Sequence, residues 1–256
     1  MAEELVRYSA EQGVATLTLD SPANRNALST ALISDFIAAI DRAEADDSVR
    51  ALLLDHTGPV FCSGADLKET AAAREAGQVP AAALVELLAR LVECPKPVVA
   101  RVNGPARAGG LGLIAAADIA VCSASATFAF TEVRLGVVPA VISATVLPRL
   151  TSRAAAELYL TGAVFDGERA AGIGLVTAAV SDVDATVRGY LDALVLGAPG
   201  ALAGAKALLR RPVREELDRL ATLSASYFLS PEGREGVQAF AEKRAPSWVP
   251  EGRWPK

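Results

Sequence analysis

The chain has 256 residues, 52% apolar and 21% charged, which excludes a disordered polymer and is ample for one sizeable buried core. A formal net charge of −5 argues against a dedicated nucleic-acid binder, which would carry a basic stripe, yet leaves room for a local cationic patch that binds phosphate. The cysteines Cys62, Cys94 and Cys122 have no metal-ligand spacing and His56 is the single histidine, so a disulfide framework, a His-based metal site and a Ser–His triad are disfavoured.

The polar opening Met1–Gly13 does not read as a signal sequence, and Gly, Arg or Asp interrupt every apolar stretch short of membrane-spanning length. A soluble cytoplasmic protein with no membrane and no nucleic-acid partner is expected. Val14–Leu19 is rich in strand formers and ends at the turn signal Asp20-Ser-Pro. Ser29 is placed to cap a helix whose apolar positions Leu32, Ile33, Phe36, Ile37 and Ile40 share one face. A buried strand is expected over Val49–Asp55, then a helix over Ala81–Glu93, a break at Pro95-Lys-Pro97 and a strand over Val98–Val102. The small, charged stretch Ala71–Pro80 is expected to be a loop. A helix starts near Gly109, and Ile119–Cys122 is another strand.

Strands alternating with helices predict an α/β fold with mostly parallel pairing. From Ser152 the pattern becomes dominantly helical: Ala154–Leu160, Gly167–Gly172, Asp184–Leu196, Ala201–Arg210, Val213–Phe228 and Pro231–Arg244. The expected organisation is an α/β core over residues 1–195 and a C-terminal helical region over 196–256.

Two segments carry candidate chemistry: the small-residue turn Val60-Phe-Cys-Ser-Gly-Ala-Asp-Leu67, and the glycine-rich turn Val102-Asn-Gly-Pro-Ala-Arg-Ala-Gly-Gly-Leu-Gly-Leu113. Small residues let backbone approach a ligand closely and leave N–H groups free to point at it. Two such turns converging on one oxygen would make an oxyanion hole. Neither segment has dinucleotide-fingerprint or P-loop spacing.

Together Phe61-Cys-Ser-Gly-Ala-Asp-Leu67, Val102-Asn-Gly…Ala-Gly-Gly110, Ala117-Asp-Ile119 and Thr131-Glu-Val-Arg-Leu-Gly-Val-Val-Pro139 resemble the enoyl-CoA hydratase/isomerase (crotonase) family. Pro22-Ala-Asn-Arg-Asn-Ala-Leu28 and Phe240-Ala-Glu-Lys-Arg244 are similar to its early and terminal motifs. The resemblance implies a crotonase-like spiral of ββα units with a C-terminal helical trimerisation region, assembled as a homo-trimer or homo-hexamer. It implies an acyl-CoA thioester as substrate, CoA arriving with it, and no separate cofactor or metal. By position, the N–H groups of Ser63 and Gly109 would form the oxyanion hole and Glu132 would be the acid/base. Ser63, Gly64, Ala65, Asp66 and Leu67 would lie along the CoA, with Asn24, Arg25 and Lys68 towards its nucleotide end.

One position departs from that pattern. Hydratases of the family commonly carry a second glutamate in the glycine-rich helix, and here that position is Gly112. The sequence, similar around Gly112 and Glu132 to a hydratase subgroup that includes methylglutaconyl-CoA-type enzymes, is expected to encode an enoyl-CoA hydratase. A 3,2-enoyl-CoA isomerase with Glu132 as single proton shuttle is the alternative, as is a non-catalytic acyl-CoA binder. Arg107 or Arg134 could meet a substrate carboxylate, although both also suit structural roles. Asp66, Asp118, His56 and Cys62 are expected to be structural.

Overall fold

The computed structural model describes residues 4–75 and 81–250. Its strands are β1 (Val6–Glu11), β2 (Val14–Leu19), β3 (Ala51–His56), β4 (Val98–Val102), β5 (Ala106–Arg107), β6 (Ile119–Ser123), β7 (Thr127–Ala129), β8 (Phe165–Asp166) and β9 (Ala178–Val180). The first helices are α1 (Thr30–Ala45), α2 (Leu67–Glu75), α3 (Ala81–Glu93), α4 (Gly109–Ala116) and α5 (Ala140–Val146). They are followed by α6 (Ser152–Thr161), α7 (Gly167–Gly172), α8 (Val183–Val195), α9 (Pro199–Leu209), α10 (Arg214–Phe228) and α11 (Pro231–Ala241).

The main sheet has six strands in the order β1-β2-β3-β4-β6-β9. Only β1 and β2 pair antiparallel, and the remaining neighbours are parallel. Gln12 and Gly13 join β1 to β2 with φ of 51° and 84°, the positive pair a two-residue hairpin turn requires. Parallel strands covered on both faces read as continuous apolar runs. Strand β3 shows this: Leu52 and Leu54 enter the main core, while Leu53 faces the other side with Val99, Val121 and the α8 residues Val183 and Val187. A small second sheet, β5-β7-β8, sits beside the glycine-rich turn.

The expected α/β class and mostly parallel pairing hold. Helix α1 begins as read, with Ser29 Oγ accepting from the Leu32 N–H at 3.2 Å. Strand β1 went unread because it is an edge strand with only Val6 buried, so it lacks the alternation that marks a half-buried strand. Strands β8 and β9 interrupt the stretch read as helical, and β9 closes the main sheet against β6.

Ala71–Glu75 is not loop but the end of α2; residues 76–80 lie outside the described residues. The helix starts because Asp66 Oδ1 accepts from the N–H groups of Lys68 and Glu69 at 2.9 and 3.2 Å, and the alanines at 71–73 favour its continuation. Glu69 ties it to α1 by accepting from the Thr30 N–H and Oγ1 at 2.8 and 2.9 Å.

Candidate active site

The two small-residue turns meet. Phe61 N–H donates to Pro105 O at 3.0 Å and Arg107 N–H to Cys62 O at 3.0 Å, so the stretch after β3 runs beside β5. At the end of that ladder Gly64 has φ of 94°, and a Cβ there would stand 2.9 Å from the Ala108 Cβ. A Cβ on Gly109 would fall 2.7 Å from Leu28 Cδ1. Gly64 needs glycine, both for its positive φ and because the second turn stands against it, whereas at Gly109 the neighbour is the movable end of the Leu28 side chain.

Gly109 is the first residue of α4, where a helix leaves its N–H groups without intrahelical acceptors. Its N–H is free in the described structure, as the expected oxyanion role requires. Ser63 is different. Its N–H donates to the Arg25 carbonyl at 3.1 Å, and the residue does not line the cavity. Ala65 does line the cavity, beside Gly109, and its own N–H has no acceptor among the described residues. The available partner of Gly109 is therefore Ala65 rather than Ser63. Sequence could not separate them, because the choice depends on which amide the pairing with residue 25 consumes.

The cavity behind these turns is lined by α2, α3, the turn before α4, the segment from Val138 through α5, and α10. Among the described residues its lining is apolar apart from Thr70, Glu132 and Ser224. Glu132 opens a 3-10 turn, Glu132–Leu135, between β7 and α5. Gly136 closes the turn at φ of 67°, its N–H returning to the Glu132 carbonyl. Phe130, two residues earlier, packs against Tyr159 of α6 with ring centroids 4.6 Å apart and planes tilted by 45°, which helps fix the segment that delivers Glu132.

Glu132 is 9% exposed, and its Oε2 has no hydrogen-bond partner. Burial, opposed only by its own backbone N–H, pushes its carboxyl up to about 7. An unpartnered buried carboxyl near neutrality can take up and return a proton.

The missing second glutamate has a steric counterpart. A Cβ at Gly112 would lie 2.7 Å from Ile142 Cγ2 and 3.5 Å from Leu88 Cδ1. Ile142 of α5 therefore occupies the direction in which a side chain at 112 would point, and among the described residues the cavity lining holds one carboxylate, that of Glu132.

The remaining candidates divide. Asn24 Nδ2 donates to Asp66 Oδ2 at 2.7 Å, so these two brace the turn while Asp66 caps α2. Burial works against the charged form of Asp66, but the Asn24 hydrogen bond and the amides of Glu69 and Lys68 hold it below its ordinary value. Arg25 and Lys68 are exposed and form no ion pair among the described residues. Leu67 opens α2, and its side chain is outside the described ones. Arg107 donates to the carbonyls of Ala106 and Thr127 at 2.8 and 2.6 Å, and Arg134 donates to Thr161 O at 3.3 Å. Neither lines the cavity, so both serve the second sheet and its surroundings.

Cys62 is buried, with its thiol pushed up to about 12 by burial. His56 accepts from the Asn103 N–H at 3.2 Å and packs edge-on to Phe61. Asp118 accepts from the Val98 N–H and pairs with Lys206. Sequence reading missed Ser224, although a signal existed: Leu217, Leu220, Ser224 and Phe228 lie on one stripe of α10, so a hydroxyl stands where the pattern calls for an apolar residue.

This geometry has known counterparts. The family profile described as Enoyl-CoA hydratase/isomerase matches residues 9–251. An enoyl-CoA hydratase from Mycobacterium avium, solved by crystallography, superposes with a TM-score of 0.88 at 46% identity, covering 96% of this chain and 100% of that one. An enoyl-CoA hydratase of Mycobacterium tuberculosis is 32% identical over 91% of both chains. A 1,2-epoxyphenylacetyl-CoA isomerase of Escherichia coli is 31% identical over 96% of this chain and 98% of its own. With its fold, its two converging turns and its buried Glu132 all accounted for, the chain belongs to the enoyl-CoA hydratase/isomerase (crotonase) family.

Proposed function

We propose that the protein hydrates a 2-enoyl-CoA thioester through an enolate held by the N–H groups of Ala65 and Gly109, with Glu132 moving the proton. The observation that carries this reading is the unpartnered Glu132 carboxylate in a cavity those two residues also line. Glu132 takes one proton from a water whose oxygen bonds to the β carbon. The π electrons move onto the thioester oxygen, and the Glu132 acid then returns the proton to the α carbon. Each fixed N–H donor in such a hole is worth about 10²–10³ in rate. Arg25 and Lys68 suit the nucleotide phosphates of CoA, which arrives as part of the substrate. The described lining is largely apolar, which suits an uncharged acyl end, and a methylglutaconyl-CoA-type hydratase remains an alternative.

A second reading, 3,2-enoyl-CoA isomerisation with Glu132 shuttling one proton between two carbons, is favoured by the blocked position at Gly112. Absorbance of the conjugated enoyl thioester separates the two. Loss of signal from crotonyl-CoA, abolished in Glu132→Gln, supports hydration; gain from a 3-enoyl-CoA with crotonyl-CoA inert supports isomerisation. Thioester binding with no turnover of either, unaltered by Glu132→Ala, would leave only a binding protein.

We further propose a homo-trimer or homo-hexamer. Leu196, Leu208 and Leu209 are 87%, 89% and 85% exposed around α9, a concentration of apolar surface suited to burial against another copy. Analytical ultracentrifugation showing only monomer would refute it.

A further inference from the structure

Two polar side-chain groups in the cavity lack a protein partner. One is the Glu132 carboxylate. The other is the hydroxyl of Ser224, 6% exposed on α10, which lines the same cavity and makes no hydrogen bond among the described residues. Its neighbours on that helix behave otherwise: Thr222 and Ser226 return their hydroxyls to the Asp218 and Leu223 carbonyls at 3.2 and 2.7 Å. Thr70, the remaining hydroxyl in the lining, donates to Asp66 O at 2.7 Å and is committed there. Glu132 Oε2 is fully enclosed and unpaired, which costs about 1–3 kcal/mol and favours an occupant with which to pair, whereas Ser224 Oγ opens into the cavity, where that occupant can reach it. A water molecule needs two to four polar partners to be held, and in this apolar chamber the side chains of Glu132 and Ser224 are the ones free to serve.

We propose that Ser224 holds the water that adds to the substrate, supplying from α10 the second anchor that position 112 cannot. This rests on the hydratase reading. Ser224 Oγ accepts a hydrogen bond from one O–H of the water while the other O–H faces Glu132. The water's oxygen then attacks the β carbon, its proton passes to Glu132, and Glu132 returns that proton to the α carbon. Ser224 itself gains and loses nothing. The requirement falls on addition of water alone: exchange of an α proton in a saturated acyl-CoA needs Glu132 and the oxyanion donors but no bound nucleophile.

The test measures two reactions in wild type, Ser224→Ala and Glu132→Gln: hydration of crotonyl-CoA, and deuterium exchange at the α carbon of butyryl-CoA in heavy water. Alanine is a good helix former and tolerated in a buried position, so the serine variant folds. The expected result is a fall in hydration kcat of about tenfold or more in Ser224→Ala, the scale of one lost hydrogen bond to a reacting group, with α-exchange unchanged. Glu132→Gln loses both. Wild-type hydration rates in Ser224→Ala overturn the inference and leave the hydratase reading standing. Equal loss of hydration and exchange in Ser224→Ala also overturns it, because it marks distortion of the whole site. A wild type that exchanges α protons but does not hydrate brings down the hydratase reading, and with it any role for Ser224 in holding water.

Discussion

At the scale of single residues, Glu132 governs both rate and stability. Its folded-state value of about 7 lies above the ordinary 4.5 because burial penalises the charged form. The proposed hydration needs the ionised carboxylate to accept water's proton, so kcat/KM should rise with pH and level off with a midpoint near 7; a flat profile from pH 5 to 9 would remove Glu132 as the base. Stability runs the opposite way. Between the unfolded and folded values the unfolded chain releases this proton first, so stability is lost as pH rises through about 4.5 to 7. The loss is on the order of 3 kcal/mol. Glu132→Gln cannot ionise, so it should lose about 10²–10⁴ in rate yet melt several degrees above wild type at pH 8, with little difference at pH 4.5. Equal melting temperatures at both pH values would refute the account of burial.

At the scale of elements, α4 and α5 pack so closely that glycines decide what the site contains. Gly112→Glu forces its first side-chain carbon to within 2.7 Å of Ile142, and such overpacking should cost about 1–3 kcal/mol in denaturant unfolding. Pairing it with Ile142→Ala should recover part of that loss, a coupling a surface position would not show.

Element scale is also where sequence reading was most secure. The helix Ala81–Glu93, the strand Val98–Val102 and the start of α4 lie where periodicity and punctuation put them, because long periodic runs carry a signal that short ones lack. Strands β5 and β8 are two residues each and have no period to read.

At the scale of the whole molecule, the C-terminal helices are not an appendage to the chemistry. Lys206 of α9 is 5% exposed, pairs with Asp118 Oδ2 at 2.7 Å and donates to Lys96 O at 3.1 Å, pinning the helical region to the sheet. Helix α10, which follows, then packs against α3 and α5 and carries Ser224 and Phe228 into the cavity. Lys206 is the buried member of this pair and the Asp118 side chain is partly exposed, so losing the lysine removes its hydrogen bonds and packing while Asp118 can still meet water. Lys206→Ala should therefore cost about 1–2 kcal/mol in urea unfolding and lower activity as α10 loses its seat. Wild-type stability in that variant would show that α9 is held by apolar contacts alone.

The sequence by itself determined the alternation of strands and helices, the small-residue turns and the carboxylate at 132, because each depends on residue type and local spacing. It also showed that position 112 lacks a glutamate. What only the tertiary structure decided is which groups remain free once the chain has folded. The Ser63 amide is consumed by Arg25 while that of Ala65 is not, Arg107 and Arg134 are committed to carbonyls, and Ile142 fills the direction in which residue 112 would point. Ser224 acquires its place from the fold of a helix more than 90 residues downstream of Glu132. Hydrogen-bond satisfaction and steric exclusion are settled between segments distant in sequence, and no local pattern records them.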